Sequence, residues 1–322
     1  MASKQEQLIL LAEVAMLYYE KKMTQSDIAA ILDVSRSTVS RLLEEALREK
    51  VVEITINYPW QSSAELEARL EERFKLETAR VLIADYKDDQ QLREGLGSLA
   101  ARYLTSILRD DTVIGVSFGR AIYQTIKALR VEPGPQRQIV QIGGAGNFDD
   151  FAVDAVGLVQ LLAQTIGGKC HYLHVPMIVE TETVRNALMN EPAVRDTLEL
   201  ARQADIILIG IGAVGPELGV VNPAYQVVAA PAPAGKVEPG QAIGAIGGQL
   251  FDIEGTALAS DINRRVVGLE LASFKLSKRV LAVAGGTNKA LAILGALRGG
   301  YIKTLITDET AAQVILATDR QI

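Results

Sequence analysis

The chain has little of what most catalytic and metal sites are made from. Among its 322 residues there is one cysteine, Cys170, and there are two histidines, His171 and His174. One thiol excludes an intrachain disulfide framework and reads by default as a buried apolar group in a reducing compartment. The histidines lie in CHYLHV, an extended stretch that points them to opposite faces. Cys170 and His174 share a face there but stand roughly 13 Å apart at strand rise, too far to ligate one ion. No metal or other cofactor is expected, and no hydrolase chemistry. No apolar run reaches the eighteen or so residues of a membrane span, and the early stretch QLILLAEVAML is broken by Glu13 and lacks a cleavage pattern. A soluble, cytoplasmic protein without a membrane partner is expected. An excess of basic charge is also missing. The formal net charge of −6 argues against a nonspecific polyanion coat, so only local charge decides whether a face docks on phosphates.

What is present is apolar and periodic. With 48% hydrophobic and 22% charged residues, the chain can bury a sizeable core and divides into a small and a larger domain. Residues 5–21 carry apolar side chains at helical spacing. A second helix, TQSDIAAILD, starts at Thr24, with Asp27 placed to close a capping box. Asp33-Val34-Ser35 form a turn, and Ser35 is a natural N-cap for a third helix running to about Lys50. Three helices with this turn make a helix-turn-helix. On the third helix Val39, Leu42, Leu43 and Ala46 face inward, while Arg36, Ser37, Ser40 and Arg41 face outward, in the half where recognition helices meet base edges. With Thr38 they are the candidate DNA-binding residues. Glu44, Glu45 and Glu49 displace negative charge toward the helix end, and Glu44, on the reading face, has the chemistry to accept from a cytosine amine. Residues 51–57 (VVEITIN) alternate like a strand and suit a wing. A three-helix protein-interaction module has the same core pattern, but packing alone does not account for Arg-Ser-Thr-x-Ser-Arg on an exposed face. With so little positive charge, affinity calls for a homo-oligomer, a dimer or tetramer, that doubles its phosphate contacts on two half-sites of double-stranded operator DNA.

After Tyr58-Pro59-Trp60 a linker helix begins at Ser62 or Ser63, with Leu66, Leu70 and Phe74 as its stripe; it lies on the large domain or pairs with a second subunit. The expected boundaries are 1–57 for the DNA-binding domain, 58–77 for the linker helix and 78–322 for the large domain. From Thr78 onward strands (TARVLIA, DTVIGVS, QIVQI, KCHYLHVP, ADIILIG, KRVLAVAG, IKTLIT) alternate with helices through 89–108, from Arg120, through 152–166, from Asn288 and from Glu309. Apolar strands of this kind predict a mostly parallel sheet covered on both faces, with ligands beyond its carboxyl ends. Gly210-Ile-Gly212-Ala-Val-Gly215 matches the dinucleotide spacing, but Pro216 and Asn222-Pro223 follow where a long helix should begin, and nicotinamide binding is not expected. At Gly285-Gly286-Thr287-Asn288-Lys289 a strand does end in a glycine turn before a helix, and an anion fits there; a plain turn with Thr287 as cap and Lys289 solvated is the alternative.

These residues bring the chain into line with a known family. SDIAAILDVSRSTVSRLLEEA, ADIILIGIGAVG, GGQLFDIEGTAL and VLAVAGGTNKALAILGALRGGYIKTLITDETAAQVIL resemble, over nearly the whole length, the SorC family of bacterial sugar-responsive transcriptional regulators. The resemblance implies a Rossmann-like effector domain related to sugar-phosphate isomerases and deaminases, one that binds a phosphorylated sugar without turning it over. By position it implies effector-binding roles for Lys289 with Thr287 and Gly286, for Ser117, Gly119 and Arg120, for Gly143 and Gly144, and for Asp252. The family motif FFD reads LFD here, and Arg120 stands where small or hydroxyl residues are common, adding a candidate phosphate contact. The expectation is therefore an N-terminal all-α, winged helix-turn-helix joined to an α/β domain, acting as an allosteric regulator of a carbohydrate operon. The alternative is a sugar-phosphate isomerase- or deaminase-like enzyme fused to a DNA-binding domain.

Overall fold

A computed structural model describes residues 4–52, 61–83, 85–146, 154–214 and 241–319. Most of the expected wing, Tyr58-Pro59-Trp60 and the stretch from Gly215 through Pro223 lie outside the described residues. The chain separates into two compact units, Met1–Pro59 and Trp60–Ile322.

The first unit contains α1 (Lys4–Ala15), extended by a π-turn over Met16–Glu20, then α2 (Gln25–Ile31) and α3 (Arg36–Arg48). The Thr24 hydroxyl caps α2 by accepting from the Asp27 N–H, and the Thr24 N–H donates back to the Asp27 carboxylate, so the capping box forms as its spacing predicts. Leu32 ends α2, Asp33 turns the chain with φ 51°, and the Ser35 side chain accepts from the Thr38 N–H to start α3. Leu11 and Val14 of α1, Ile28 of α2, and Val39, Leu43 and Ala46 of α3 close a small core. Leu42 is only half-buried at its margin.

The second unit opens with β1 (Gln61–Ser62), α4 (Ala64–Phe74), β2 (Thr78–Ile83), α5 (Asp89–Ile107), β3 (Val113–Val116) and α6 (Arg120–Ala128). It continues with β4 (Gln138–Gln141), α7 (Ala155–Ile166), β5 (Lys169–His171), α8 (Glu182–Asn190), α9 (Pro192–Arg202) and β6 (Ile206–Gly210). After β7 (Gly212–Ala213), β8 (Gly244–Ile246) and β9 (Gln249–Phe251) come α10 (Asp261–Arg265), α11 (Leu271–Leu276), β10 (Val280–Val283), α12 (Ala290–Arg298), β11 (Thr304–Asp308) and α13 (Glu309–Thr318). The main sheet runs β1-β2-β11-β10-β6-β3-β4-β5; β1 is antiparallel to β2, and every other pairing is parallel. The seven long strands are those the apolar runs predict. The antiparallel sheet β7-β8-β9 and helices α8 to α11 are additions that the sequence reading did not contain.

Strand alternation explains the two layers. In β6, Ile207 and Ile209 enter one core, while Ile206 and Leu208 enter the other; in β10, Val280 and Ala282 oppose Leu281 and Val283 in the same way. Helices α4, α9, α12 and α13 cover the first face, and α5, α6 and α7 the second. Leu66 and Leu70 are buried, so α4 lies on the large unit, one of the two placements its stripe allows.

Charge pairs tie the ends of three helices together. Asp319, just past α13, accepts from Arg73 on α4 and from Arg298 at the end of α12, and Arg298 also reaches Glu254. Burial works against ionisation of Asp319, but the bonds from Arg73 and Arg298 outweigh it and hold the carboxyl below the usual range. A depressed carboxylate stabilises the fold above its unfolded pKa, and that contribution is lost as pH falls through the folded value. Asp319→Asn should therefore lower stability by about 2–3 kcal/mol at neutral pH. The gap between variant and wild type should narrow as the pH falls below the ordinary Asp range in urea titrations; a gap independent of pH would contradict this account.

Candidate functional site

Two clusters of polar residues stand out, one in each unit. On α3, Arg36, Ser37, Ser40 and Arg41 line one open concavity with Gln25 of α2 and Glu44. Ser37 and Thr38 hydroxyls both lie 2.8 Å from Ser35 Oγ, so Thr38 belongs to the cap and Ser37 is held at the helix start. Among the described residues Arg36 and Arg41 have no carboxylate partner. Glu45 is turned to α1, where its carboxylate accepts from Gln7, and Arg48 lies 3.8 Å from both Glu45 and Glu49. Two of the three carboxylates are thus neutralised away from the concavity. The helix start also offers free backbone N–H groups and the positive end of its dipole.

In the second unit the relevant loops leave the carboxyl ends of β3 and β10, which are separated in the sheet by β6 alone. Gly286, with φ 92°, precedes a single 3-10 turn over Thr287–Lys289 that runs directly into α12. Thr287 and Asn288 are exposed, so the helix start opens to solvent. The loop is anchored from below by Asp308 at the end of β11. Its carboxylate is fully buried, accepts the Gly286 N–H at 2.6 Å, and caps α13 through the Thr310 and Ala311 N–H groups. Tyr86 OH also donates to Asp308, at 2.7 Å; burial first, and then the carboxylate, push this phenol up to about 12, against the bond with Thr310.

Lys289 is half-buried, and its ammonium has no hydrogen-bond or ion-pair partner among the described residues. Burial pushes its amine below the usual lysine range, and the positive charges of Arg93 and Arg120 act in the same direction, opposed by Asp89. Arg120 is the exposed first residue of α6, whose start is set by Gly119 at φ 131°. Arg93 lies on α5, 3.5 Å from Asp89. Lys289 therefore feels two other cations and one carboxylate, which is already paired with Arg93. Arg93 was missed in the sequence, because a single Arg one turn into a surface helix carries no local signal; only the sheet order brings it to Lys289.

The remaining candidates are placed differently. Ser117 is buried, with its N–H donating to Leu208 O in the ladder between β3 and β6. It also stands in Gly115-Val116-Ser117-Phe118-Gly119, which has the GxSxG spacing of a nucleophile elbow. That spacing alone would admit a hydrolase. Geometry gives it no base: both histidines lie on or beyond β5, two strands from β3, and among the described residues His171 Nε2 is buried without a partner. Gly143 and Gly144 are buried under other backbone. Gly144 donates to Val267 O, and a Cβ there would come 2.4 Å from Pro176 O, so this glycine admits a crossing chain. Asp252 accepts from the Glu254 and Thr256 N–H groups in a turn, and its backbone approaches Gly295 near the far end of α12. At the helical rise that is about 9 Å along the axis from Lys289. Gly286 and Thr287 share the Lys289 loop and Arg120 lies within electrostatic range of it, while Asp252 meets α12 at Gly295 and Gly143 and Gly144 pack under backbone just past β4.

Comparison with known proteins agrees with this two-part plan. Residues 58–317 match the family described as "Putative sugar-binding domain", and residues 12–49 match region 4 of sigma-70. The chain is 30% identical over 304 residues to the deoxyribonucleoside regulator of Bacillus subtilis strain 168, covering 94% of this chain and 96% of that protein. It is 31% identical over 308 residues to the transcriptional regulator LsrR of Escherichia coli K12, covering 95% and 93%. The crystal structure of the full-length sorbitol operon regulator SorC from Klebsiella pneumoniae aligns with a TM-score of 0.67 at 25% identity, over 97% of this chain and 99% of that one.

The position of Lys289 generates a stability prediction. A lysine whose folded pKa is lowered opposes folding below that pKa, and the penalty is relieved as pH rises toward the unfolded value. Lys289→Met should raise the melting temperature of the ligand-free protein at neutral pH, by an amount that shrinks in alkaline buffer. Calorimetry that finds Lys289→Met less stable than wild type at pH 7 would contradict an unneutralised ammonium at this position.

Proposed function

The chain belongs to the SorC family of sugar-binding transcriptional regulators, and from that membership we propose that it controls a carbohydrate operon in response to a phosphorylated sugar. The reading rests on one observation, the unpartnered Lys289 ammonium among Arg93 and Arg120 at an open helix start. Backbone N–H groups and cations together suit a phosphate dianion, which would remove their mutual repulsion. Gly286, Thr287, Lys289, Arg120 and Arg93 form the proposed cradle. Ser117 and Gly119 shape the neighbouring loop, with Gly143, Gly144 and Asp252 in its surroundings. The protein is read as a binder and not as an enzyme, because among the described residues Asp89 is engaged with Arg93, and Asp308 with the Gly286 N–H and its own helix cap.

Operator DNA is assigned to Arg36, Ser37, Thr38, Ser40 and Arg41, with residues 1–57 as the DNA-binding part, 58–77 as the connection and 78–322 as the effector and assembly part. Two arginines on one helix face give few phosphate contacts, so a homo-oligomer on paired half-sites is part of the reading, as is action in the cytoplasm. The route for allostery starts at the cradle. α12 begins there, α13 begins at Asp308 beneath it, and the two helices end at Arg298 and Asp319, bonded to each other and to Arg73 of α4. α4 is the first helix after the DNA-binding unit.

A melting-temperature panel of sugar phosphates and their unphosphorylated parents tests the effector class. A cognate phosphate at a hundred times its Kd should stabilise wild type by about 2.7 kcal/mol, with no shift from the parent sugar and none in Lys289→Met. No shift with any phosphorylated sugar would sink the reading. Conversion of a sugar phosphate by the purified protein would return the enzyme alternative. A second panel tests the route: Arg73→Met should keep operator affinity and effector affinity but lose much of the roughly 5–150-fold change that an effector produces. Unchanged coupling would exclude this ion pair from the route.

A further inference from the structure

We infer that Glu44 is a base-reading residue that accepts a hydrogen bond from the N4 amine of a cytosine in the major groove. The inference rests on the assignment of α3 as the recognition helix. Glu45 and Glu49 have partners in Gln7 and Arg48. Glu44 does not: among the described residues it has neither a hydrogen bond nor an ion pair, although Arg41 and Arg48 lie three and four positions away, within helical reach. Its side chain lines the same concavity as Gln25, Arg36, Ser37, Ser40 and Arg41.

An exposed glutamate is usually just solvated, and donor–acceptor accounting is what separates this one. A DNA backbone offers only acceptors, so a face built for phosphates needs donors, and a carboxylate, which has none, is repelled there. Among the hydrogen-bond donors in the major groove are only the N4 amine of cytosine and the N6 amine of adenine. In adenine the amine stands beside the N7 acceptor, which a carboxylate oxygen would face; cytosine has a C–H in that neighbourhood. Cytosine is therefore the better match. Arg41, three residues earlier, supplies the complementary donors for guanine O6 and N7, so the two side chains read opposite polarities. The same carboxylate rejects wrong sequences. Against thymine O4 or guanine O6 it meets another acceptor and loses water without a bond, which makes Glu44 a discriminator more than a source of affinity.

The test uses the full-length protein. Operators are selected from a random duplex pool, and base pairs are then exchanged singly for wild type, Glu44→Ala and Arg41→Ala. Wild type should prefer cytosine at one position per half-site by about tenfold or more. In Glu44→Ala that position alone should flatten, while affinity for unrelated duplex rises. Replacing that cytosine with an analogue lacking the N4 amine should weaken wild type and leave Glu44→Ala unaffected. Retention of every wild-type preference in Glu44→Ala, or an adenine at the flattened position, overturns the inference. Arg41→Ala separates the two levels: full operator affinity in that variant removes this face from DNA altogether, whereas lost affinity with unaltered preferences in Glu44→Ala removes only the role of Glu44.

Discussion

The effector-side geometry depends on one buried carboxylate. Asp308 ends β11, heads α13, and holds the N–H of Gly286 and the hydroxyl of Tyr86. Without that anchor nothing would fix the turn that starts α12. Gly285 has to be glycine for the same reason, since a Cβ there would lie 2.4 Å from Asp308 Oδ1. Because the carboxylate is satisfied by its own cap and loop, it is not free to neutralise Lys289. An anion site needs both properties: a rigid backbone rim and a cation left unquenched by the protein that holds it.

The same division of labour runs through the molecule and resolves the conflict between a net charge of −6 and binding to polyanions. Arginines that build the fold are consumed locally. Arg137 is buried and bonded to the carbonyls of Arg109, Glu132 and Ile166; Arg298 and Arg73 share Asp319; Arg80 is beside Glu67 and Glu71. Arg36, Arg41, Arg120 and Lys289 are left without carboxylate partners among the described residues. Overall acidity then suppresses nonspecific association, while short-range fields at the two clusters survive, because screening and distance separate them from the surplus carboxylates.

Much of this was legible in the residues, and the failures have physical causes. Capping chemistry and helical periodicity are local, so Thr24, Asp27 and Ser35 mark their helices, and central strands such as β6 and β10 appear as apolar runs buried on two faces. Strands β7 to β9 are two or three residues long, below what alternation can register. The candidate site was legible where a motif is contiguous, as at Gly286-Thr287-Lys289, and illegible where sheet order makes the neighbourhood. Arg93 comes within electrostatic range of Lys289 only because α5 and β10 meet in the fold. Gly144 looks like part of a ligand loop by composition, yet its lack of a side chain admits the backbone of Pro176. Ser117 shows the converse: a motif spacing can be present without the base that would give it chemistry.

How a signal leaves the cradle is constrained by packing. α4 is pinned over the sheet by Leu66 and Leu70, and Glu67 and Glu71 reach the N–H groups of Val81 and Ala79 on β2. Such a helix cannot detach without exposing apolar core and orphaning those donors, so large swings of α4 are too costly for a ligand that couples with about 1–3 kcal/mol. What that energy can move is a polar contact at a helix end. The exposed guanidinium of Arg73 on the nearly buried Asp319 is a contact of that size, because a half-solvated pair can exchange its partner for water at little net cost. Under the proposed function, effector control would be a change in how firmly the end of α4 is held, and not a rearrangement of the sheet.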